Sequence, residues 1–307
     1  MKHLNNNSPP TLLVLLGPTG VGKSDISISL AQSLSTEIMS CDSRQIYREM
    51  HIGTAVPTAE QLATVPHHFI ASHSVHEPYT AGKYEMEALE LLSQLFQQKK
   101  VVVMTGGSGL YIDALCKGID DFPEIVPGVR ESLMQRIDDE GLETLRHELK
   151  LLDPESYRQL DLKNPHRIVR ALEVSLSTGK PYSSFKKESQ QTRPFCIVKI
   201  GLQRPREELY HRINLRTLQM MNDGWEAEAR ALYPFRHLPA LNTVGYKELF
   251  DYFDGKTTLN ETISLIQQHT RNYAKKQLSY WGRDKEIQWF NADEPEKILP
   301  LLFQTKE

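Results

Sequence analysis

Apolar residues along this chain follow two rhythms. Short runs at residues 12–16 (LLVLL), 37–40 (EIMS), 68–71 (HFIA), 101–105 (VVVMT) and 196–201 (CIVKIG) lie between glycine, proline or polar residues, which predicts strands. Residues 24–34 and 81–98 instead space apolar side chains three and four apart, which predicts helices between those strands. Strand and helix in alternation is the order of a parallel sheet with crossover helices. From about residue 122 to 190 the pattern is helical only, as in VRESLMQRIDDEGLETLRHELKLL and HRIVRALEVSLSTG. Pro123 and Pro127 open that stretch, and Gly179, Pro181 and a polar run through Gln191 close it. The expected organisation is a core of residues 11–121 and 191–307 carrying a helical insertion at 122–190, with the last third mainly helical.

Composition narrows the class. The 307 residues are 39% apolar and 24% charged, enough for a full core and a smaller domain. No run approaches the roughly 20 apolar residues of a membrane span, and the opening MKHLNNNSPP is polar rather than a secretory leader, so the expectation is a cytoplasmic protein away from membranes. Cys41, Cys116 and Cys196 stand too far apart for a zinc knuckle or a disulfide framework and read as packed thiols. A net charge of −3 argues against uniform coating of nucleic acid but leaves local patches open. Arg204, Arg206, Arg212 and Arg216 form one cluster; Arg271, Lys275, Lys276, Arg283 and Lys285 form another, interleaved with Tyr273, Tyr280 and Trp281. Each cluster reads either as a nucleic-acid surface, by charge and stacking, or as a solvated helix face.

The sharpest chemical signal is GPTGVGKS, residues 17–24, between the first strand and the first helix. Glycines there let backbone N–H groups turn toward a phosphate, a lysine adds a point charge, and a serine hydroxyl at the helix start can ligate Mg2+. Gly17, Pro18, Thr19, Gly20, Val21, Gly22, Lys23 and Ser24 are therefore the candidate diphosphate site, and the fold class becomes α/β with a P-loop NTPase-like parallel sheet flanked by helices. After the second strand, CDSRQIY puts Asp42 at a carboxyl end beside that loop, as a base or as a turn former. After the fourth run, TGGSGLY supplies close-approach glycines and the Ser108 hydroxyl. That strand ends in Thr105 rather than the acid of a nucleotide hydrolase, which demotes ATP hydrolysis. His67, His68, His73 and His76 crowd together at spacings that match no metal pair on one helix face.

Taken in order, GPTGVGKS, CDSRQIYREMHIGTAVP, TGGSGLYIDAL, NPHRIVRALEV, LNTVGYKEL and TRNYAKKQLSYW resemble the bacterial tRNA dimethylallyltransferases over nearly the whole chain. The resemblance implies transfer of a dimethylallyl group from dimethylallyl diphosphate to N6 of the adenosine on the 3′ side of the anticodon, without ATP. It implies Asp42, Lys23, Thr19 and Arg216 as catalytic residues, with Arg212 one turn earlier as the fallback for Arg216. It further implies contacts to the tRNA anticodon stem-loop at Asp42, Ser43, Arg44, Gln45, Ser108, Arg130, His166, Arg167, Ile168, Val169 and Arg170, of which the two apolar ones also read as core. The family more commonly has threonine where this chain has Ser24 and Ser108; serine keeps the hydroxyl. An adenine stacked in the anticodon loop would have to be extruded. A monomer is expected. Three other readings stand beside this one: an enzyme that prenylates free AMP-type nucleotides, a P-loop small-molecule kinase, and an RNA-binding protein with a vestigial P-loop. The helical insertion and the second basic cluster favour a macromolecular acceptor.

Overall fold

The computed structural model describes residues 9–120, 122–123, 125–186 and 191–303. The polar opening of the chain (1–8) and the polar run at 187–190 lie outside the described residues. The described residues divide into two compact units, one running up to Lys117 and resuming at Thr192, the other spanning Gly118–Gln191.

The first unit is built on a parallel sheet of six strands: β1 (Thr11–Leu16), β2 (Ile38–Ser40), β3 (His67–His68), β4 (Val101–Gly106), β5 (Cys196–Gln203) and β6 (Gln288–Asn291), in the order β3-β2-β4-β1-β5-β6. All six residues of β1 are buried, because a parallel strand with β4 on one side and β5 on the other is covered on both faces. The helices of this unit are α1 (Lys23–Ser33), α2 (Ala59–Thr64), α3 (Ala81–Leu95) and α4 (Gly109–Lys117), then α9 (Arg206–Asn222), α10 (Trp225–Leu232), α11 (Tyr246–Phe253), α12 (Leu259–Trp281) and α13 (Ile298–Phe303). Leu13, Leu15, Val103 and Ile200 of the sheet pack with Ile26 and Leu30 of α1 and with Leu209 and Ile213 of α9. No helix among the described residues is long and apolar enough to cross a membrane.

Two features depart from the reading of the sequence. The strand expected at 68–71 stops at His68, since Phe69 and Ala71 take left-handed backbone angles. The backbone there turns to serve another loop: Ala71 N–H donates to Gln45 O at 2.9 Å and His73 N–H to Ile46 O at 3.0 Å. β6 was not foreseen, because QWFN is short and only half apolar. It pairs with β5 where Gly201 leaves room for the Trp289 ring; a Cβ at that glycine would lie 2.6 Å from Trp289.

The second unit holds α5 (Val129–Glu140), α6 (Leu142–Leu152), α7 (Pro154–Gln159) and α8 (Pro165–Thr178). Leu133, Leu145, Leu149, Ile168, Val169 and Leu172 form its core. Asn164 caps α8, Pro165 begins it with a pre-set φ, and Gly179 ends it in the left-handed region. Buried Asp153 caps α7 and also accepts from Ser183 N–H at 2.7 Å; burial opposes its charge, but the hydrogen bonds from Ser156 and Ser183 hold its carboxyl below the usual range.

Candidate functional site

Four carboxyl ends of the sheet meet around the loop that follows β1, the place where open α/β sheets bind ligands. That loop is shaped from within. Gly20 (φ +84°) and Gly22 (φ +104°) occupy the left-handed region that only glycine enters cheaply, and Gly22 caps α1. Val21 is fully buried against the core, so only its backbone faces outward, and its N–H turns to Pro18 O at 3.3 Å. Among the described residues the N–H groups of Gly20, Gly22, Lys23 and Ser24 have no acceptor. Four free N–H groups at a helix N-terminus form an anion cradle.

Cations surround the cradle. Lys23 Nζ donates to Gly17 O at 2.7 Å and Pro18 O at 3.0 Å, and burial pushes its ammonium down to about 8, Asp42 opposing and Arg216 adding to the shift. From α9, Arg216 donates to the Thr19 hydroxyl and Arg212 Nε to Gly20 O at 2.9 Å, so both arginines reach the loop. Burial lowers the Arg216 pKa, with Asp42 working against it. Ser24 is exposed on the first turn of α1, and its hydroxyl bonds no described residue.

Asp42 follows β2 and does two things with two oxygens. Its Oδ1 accepts from Arg44 N–H at 2.9 Å and Gln45 N–H at 3.3 Å, closing a turn, while its Oδ2 accepts from no described residue. The rest of this loop is held from outside. Ser43 N–H donates to Ser108 Oγ at 2.9 Å, Arg44 Nη1 to Ala240 O at 3.0 Å, and Gln45 Nε2 to Thr54 O at 3.1 Å and Ala55 O at 3.0 Å. A Cβ at Gly106 would stand 2.9 Å from Asp42 N, which is how closely β4's glycine loop approaches.

Sequence reasoning passed over the tyrosines here. Tyr47 and Tyr111 are over nine-tenths buried, yet their hydroxyls bond no described residue. Burial raises both pKa values; Arg44 opposes this for each, while Tyr47 and Asp42 add to it for Tyr111. Tyr111 stacks on Tyr84 at 4.6 Å. The signal was within reach, since both close the segments CDSRQIY and TGGSGLY. Gln277 of α12 was also passed over; its side chain bonds Thr19 N–H and Gly107 O.

The two basic clusters partly merge. Arg204 is neutralised by Glu208 and Asp293, so it belongs to the scaffold. Arg206, Arg271 and Lys275 gather on the ring of Tyr210, at 5.2, 5.9 and 5.8 Å from its centroid, although they come from α9 and α12. No described carboxylate pairs with any of the three.

In the helical unit, Arg130 and Arg170 share buried Glu173, at 3.3 and 2.9 Å, and Arg170 lies 5.1 Å over the Phe122 ring. His166 and Arg167 are exposed at the start of α8. Ile168 and Val169 are fully buried, so the expectation that they touch RNA is corrected: their side chains are core. Among the described residues no three His, Cys, Asp or Glu side chains gather as metal ligands.

Comparison with known proteins gives this geometry a setting. The family model described as IPP transferase matches residues 45–284. The chain is 52% identical to tRNA dimethylallyltransferase 1 of Phocaeicola vulgatus, over 96% of this chain and 98% of that one. It is 51% identical to tRNA dimethylallyltransferase 1 of Bacteroides thetaiotaomicron, over 95% of each. Among solved structures, the tRNA isopentenylpyrophosphate transferase of Bacillus halodurans matches with a TM-score of 0.69 at 33% identity, over 95% of this chain and 94% of that one. A eukaryotic dimethylallyltransferase acting on tRNA shares the fold, with a TM-score of 0.79 at 23% identity, over 94% of this chain and 75% of that one.

Proposed function

Because the chain belongs to the IPP transferase family, we propose that its site prenylates tRNA by joining an allylic diphosphate to an extruded adenine. The chain transfers a dimethylallyl group to tRNA. The finer proposal is that dimethylallyl diphosphate is the donor, N6 of the adenosine 3′ to the anticodon is the acceptor, and diphosphate leaves. The observation that carries it is the juxtaposition of a free carboxylate oxygen, Asp42 Oδ2, with a cradle of N–H groups, Lys23 and Arg216.

An adenine amino group is a poor nucleophile, because its lone pair is delocalised into the ring. As N6 attacks the allylic carbon, Asp42 Oδ2 accepts its proton while Oδ1 keeps the turn closed. The allylic C–O bond breaks with negative charge growing on diphosphate. Lys23, Arg216, Arg212 and the N–H groups of Gly20, Gly22, Lys23 and Ser24 meet that charge. The residues present suit Mg2+ through one ligand only: the exposed Ser24 hydroxyl would hold it beside the diphosphate. When bound, the ion would supply further charge to the leaving group.

For the acceptor, Tyr47 and Tyr111 put unpartnered hydroxyls, on largely buried rings, beside the Asp42 loop, where a base extruded from its stack needs polar partners. Arg206, Arg271 and Lys275 around Tyr210 suit phosphates of the tRNA backbone, as do His166 and Arg167 in the helical unit. The cytoplasm is the proposed setting of the reaction.

The test is incubation of purified protein with magnesium, unmodified tRNA and dimethylallyl diphosphate, without ATP, with AMP as a parallel acceptor and mass spectrometry of the digested nucleosides. Prenylated adenosine from tRNA alone is expected. Product from AMP instead moves the acceptor to free nucleotides, and product from neither overturns the proposal.

A further inference from the structure

Gln277 lies on α12 and is 6% exposed. Both ends of its amide are committed. Oε1 accepts Thr19 N–H of the phosphate loop at 2.9 Å, and Nε2 donates to Gly107 O of the glycine loop at 2.8 Å. Flipping the amide would set donor against donor and acceptor against acceptor, so the side chain has one orientation. The fit is tight. A Cβ at Gly107 would come within 2.4 Å of Gln277 Nε2, and one at Gly109 within 2.4 Å of the Tyr280 ring on the same helix.

Each bond continues into the site. On the donor side the Thr19 hydroxyl accepts from Arg216, so Gln277 fixes the residue that holds that arginine. On the acceptor side Gly107 stands between Gly106, which abuts Asp42, and Ser108, which holds Ser43. Gln277 also removes Thr19 N–H from the anion cradle, which leaves that N–H structural and the cradle to its neighbours. The same helix pins α9, where Arg216 resides, through Arg271 to Asn214 Oδ1 at 2.6 Å.

We propose that Gln277 is a positioning residue that sets the donor cradle and the acceptor loop at a fixed separation, acting through Thr19 and Gly107. The inference rests on the prenyl-transfer reading for its kinetic consequence, but not for its effect on diphosphate binding. Two variants test it. Gln277→Met keeps length and removes both hydrogen bonds; about tenfold weaker binding of inorganic pyrophosphate by calorimetry is expected, with tRNA affinity within about twofold. Single-turnover prenyl transfer should drop by about thirtyfold, and combination with Arg216→Lys should cost less than the product of the two losses, because both act through one bonded chain. Gln277→Glu is isosteric and guards against misfolding of the first variant. Ionised, it turns an oxygen toward Gly107 O; protonated, it can restore both hydrogen bonds, so its deficit should shrink from about tenfold near pH 8 to about threefold near pH 6. Unchanged pyrophosphate binding in the methionine variant, a fully multiplicative double variant, or a deficit in Gln277→Glu that ignores pH would each overturn the proposal. Failure of the wild-type protein to prenylate tRNA would instead remove the reaction and leave the pyrophosphate result standing.

Discussion

The phosphate loop and the Asp42 loop stand side by side at the same sheet edge and take their shapes from different sources. The first is shaped by its own residues, left-handed Gly20 and Gly22, buried Val21 and a lysine bonded to carbonyls five and six residues back, and is then fastened by Arg204, Arg212, Arg216 and Gln277. The second closes one turn with Asp42 Oδ1 and borrows the rest from Thr54, Ala55, Ala71, His73, Ser108 and Ala240, the last about two hundred residues away. A diphosphate offers the same oxygens to every enzyme, so a cradle whose N–H groups are turned inward by local glycine conformation suffices to meet them. An extruded base must be met by a carboxylate at one distance from that cradle, and only long-range bonds can set such a distance.

The largest break in this comparison should come at Asp42. Asp42→Asn retains an acceptor for the turn but cannot take the N6 proton, so single-turnover transfer should fall by about a thousandfold while tRNA affinity changes little. Asp42→Ala loses turn and base together; if it retained wild-type turnover, the carboxylate would have no role as base. Next is Gly22→Ala, which forces a side chain into φ +104° and costs about 1–2 kcal/mol, with diphosphate binding weakened far more than tRNA binding. Calorimetry with pyrophosphate and filter binding with tRNA separate the two. On the other loop, Ser108→Ala removes the acceptor for Ser43 N–H, worth about 1 kcal/mol. Its signature should be reversed: kcat about tenfold lower, with KM for the diphosphate donor almost unchanged.

The smallest effect is one of pH. Lys23 titrates at about 8, below the ordinary lysine value, so it is mainly charged at neutral pH and loses its charge as pH rises through that point. Donor binding should therefore weaken above about pH 8, the diphosphate itself delaying the loss by favouring the ammonium. Lys23→Arg, whatever it does to the absolute rate, should flatten that limb of the profile because a guanidinium stays charged.

Legibility followed the same division. GPTGVGKS could be read directly, since glycine spacing, a strand before and a helix after are local properties, and the structure places them as such. The order of strands and helices was legible for the same reason, β3 and β6 being the exceptions: one is cut short by backbone committed to the Asp42 loop, the other depends on a gap at Gly201. Asp42 could be singled out by its place after a strand, but not the division of labour between its two oxygens. Tyr47, Tyr111 and Gln277 stood inside noticed segments without any local pattern to mark them. Ile168 and Val169 mark the reverse case, apolar positions on α8 that helical spacing assigns to core and the structure confirms as such.

By itself, then, the chain's order of residues determined what depends on neighbours: helices from spacing, strands from apolar runs, turns and a phosphate cradle from glycine. Tertiary structure alone decided which cations are neutralised and which are left to a ligand. Arg204 and Arg206 are two residues apart, yet one is spent on Glu208 and Asp293 while the other joins Arg271 and Lys275 at Tyr210. It also decided the distance between cradle and base, because hydrogen bonds spanning hundreds of residues exist only once the sheet has brought their ends together.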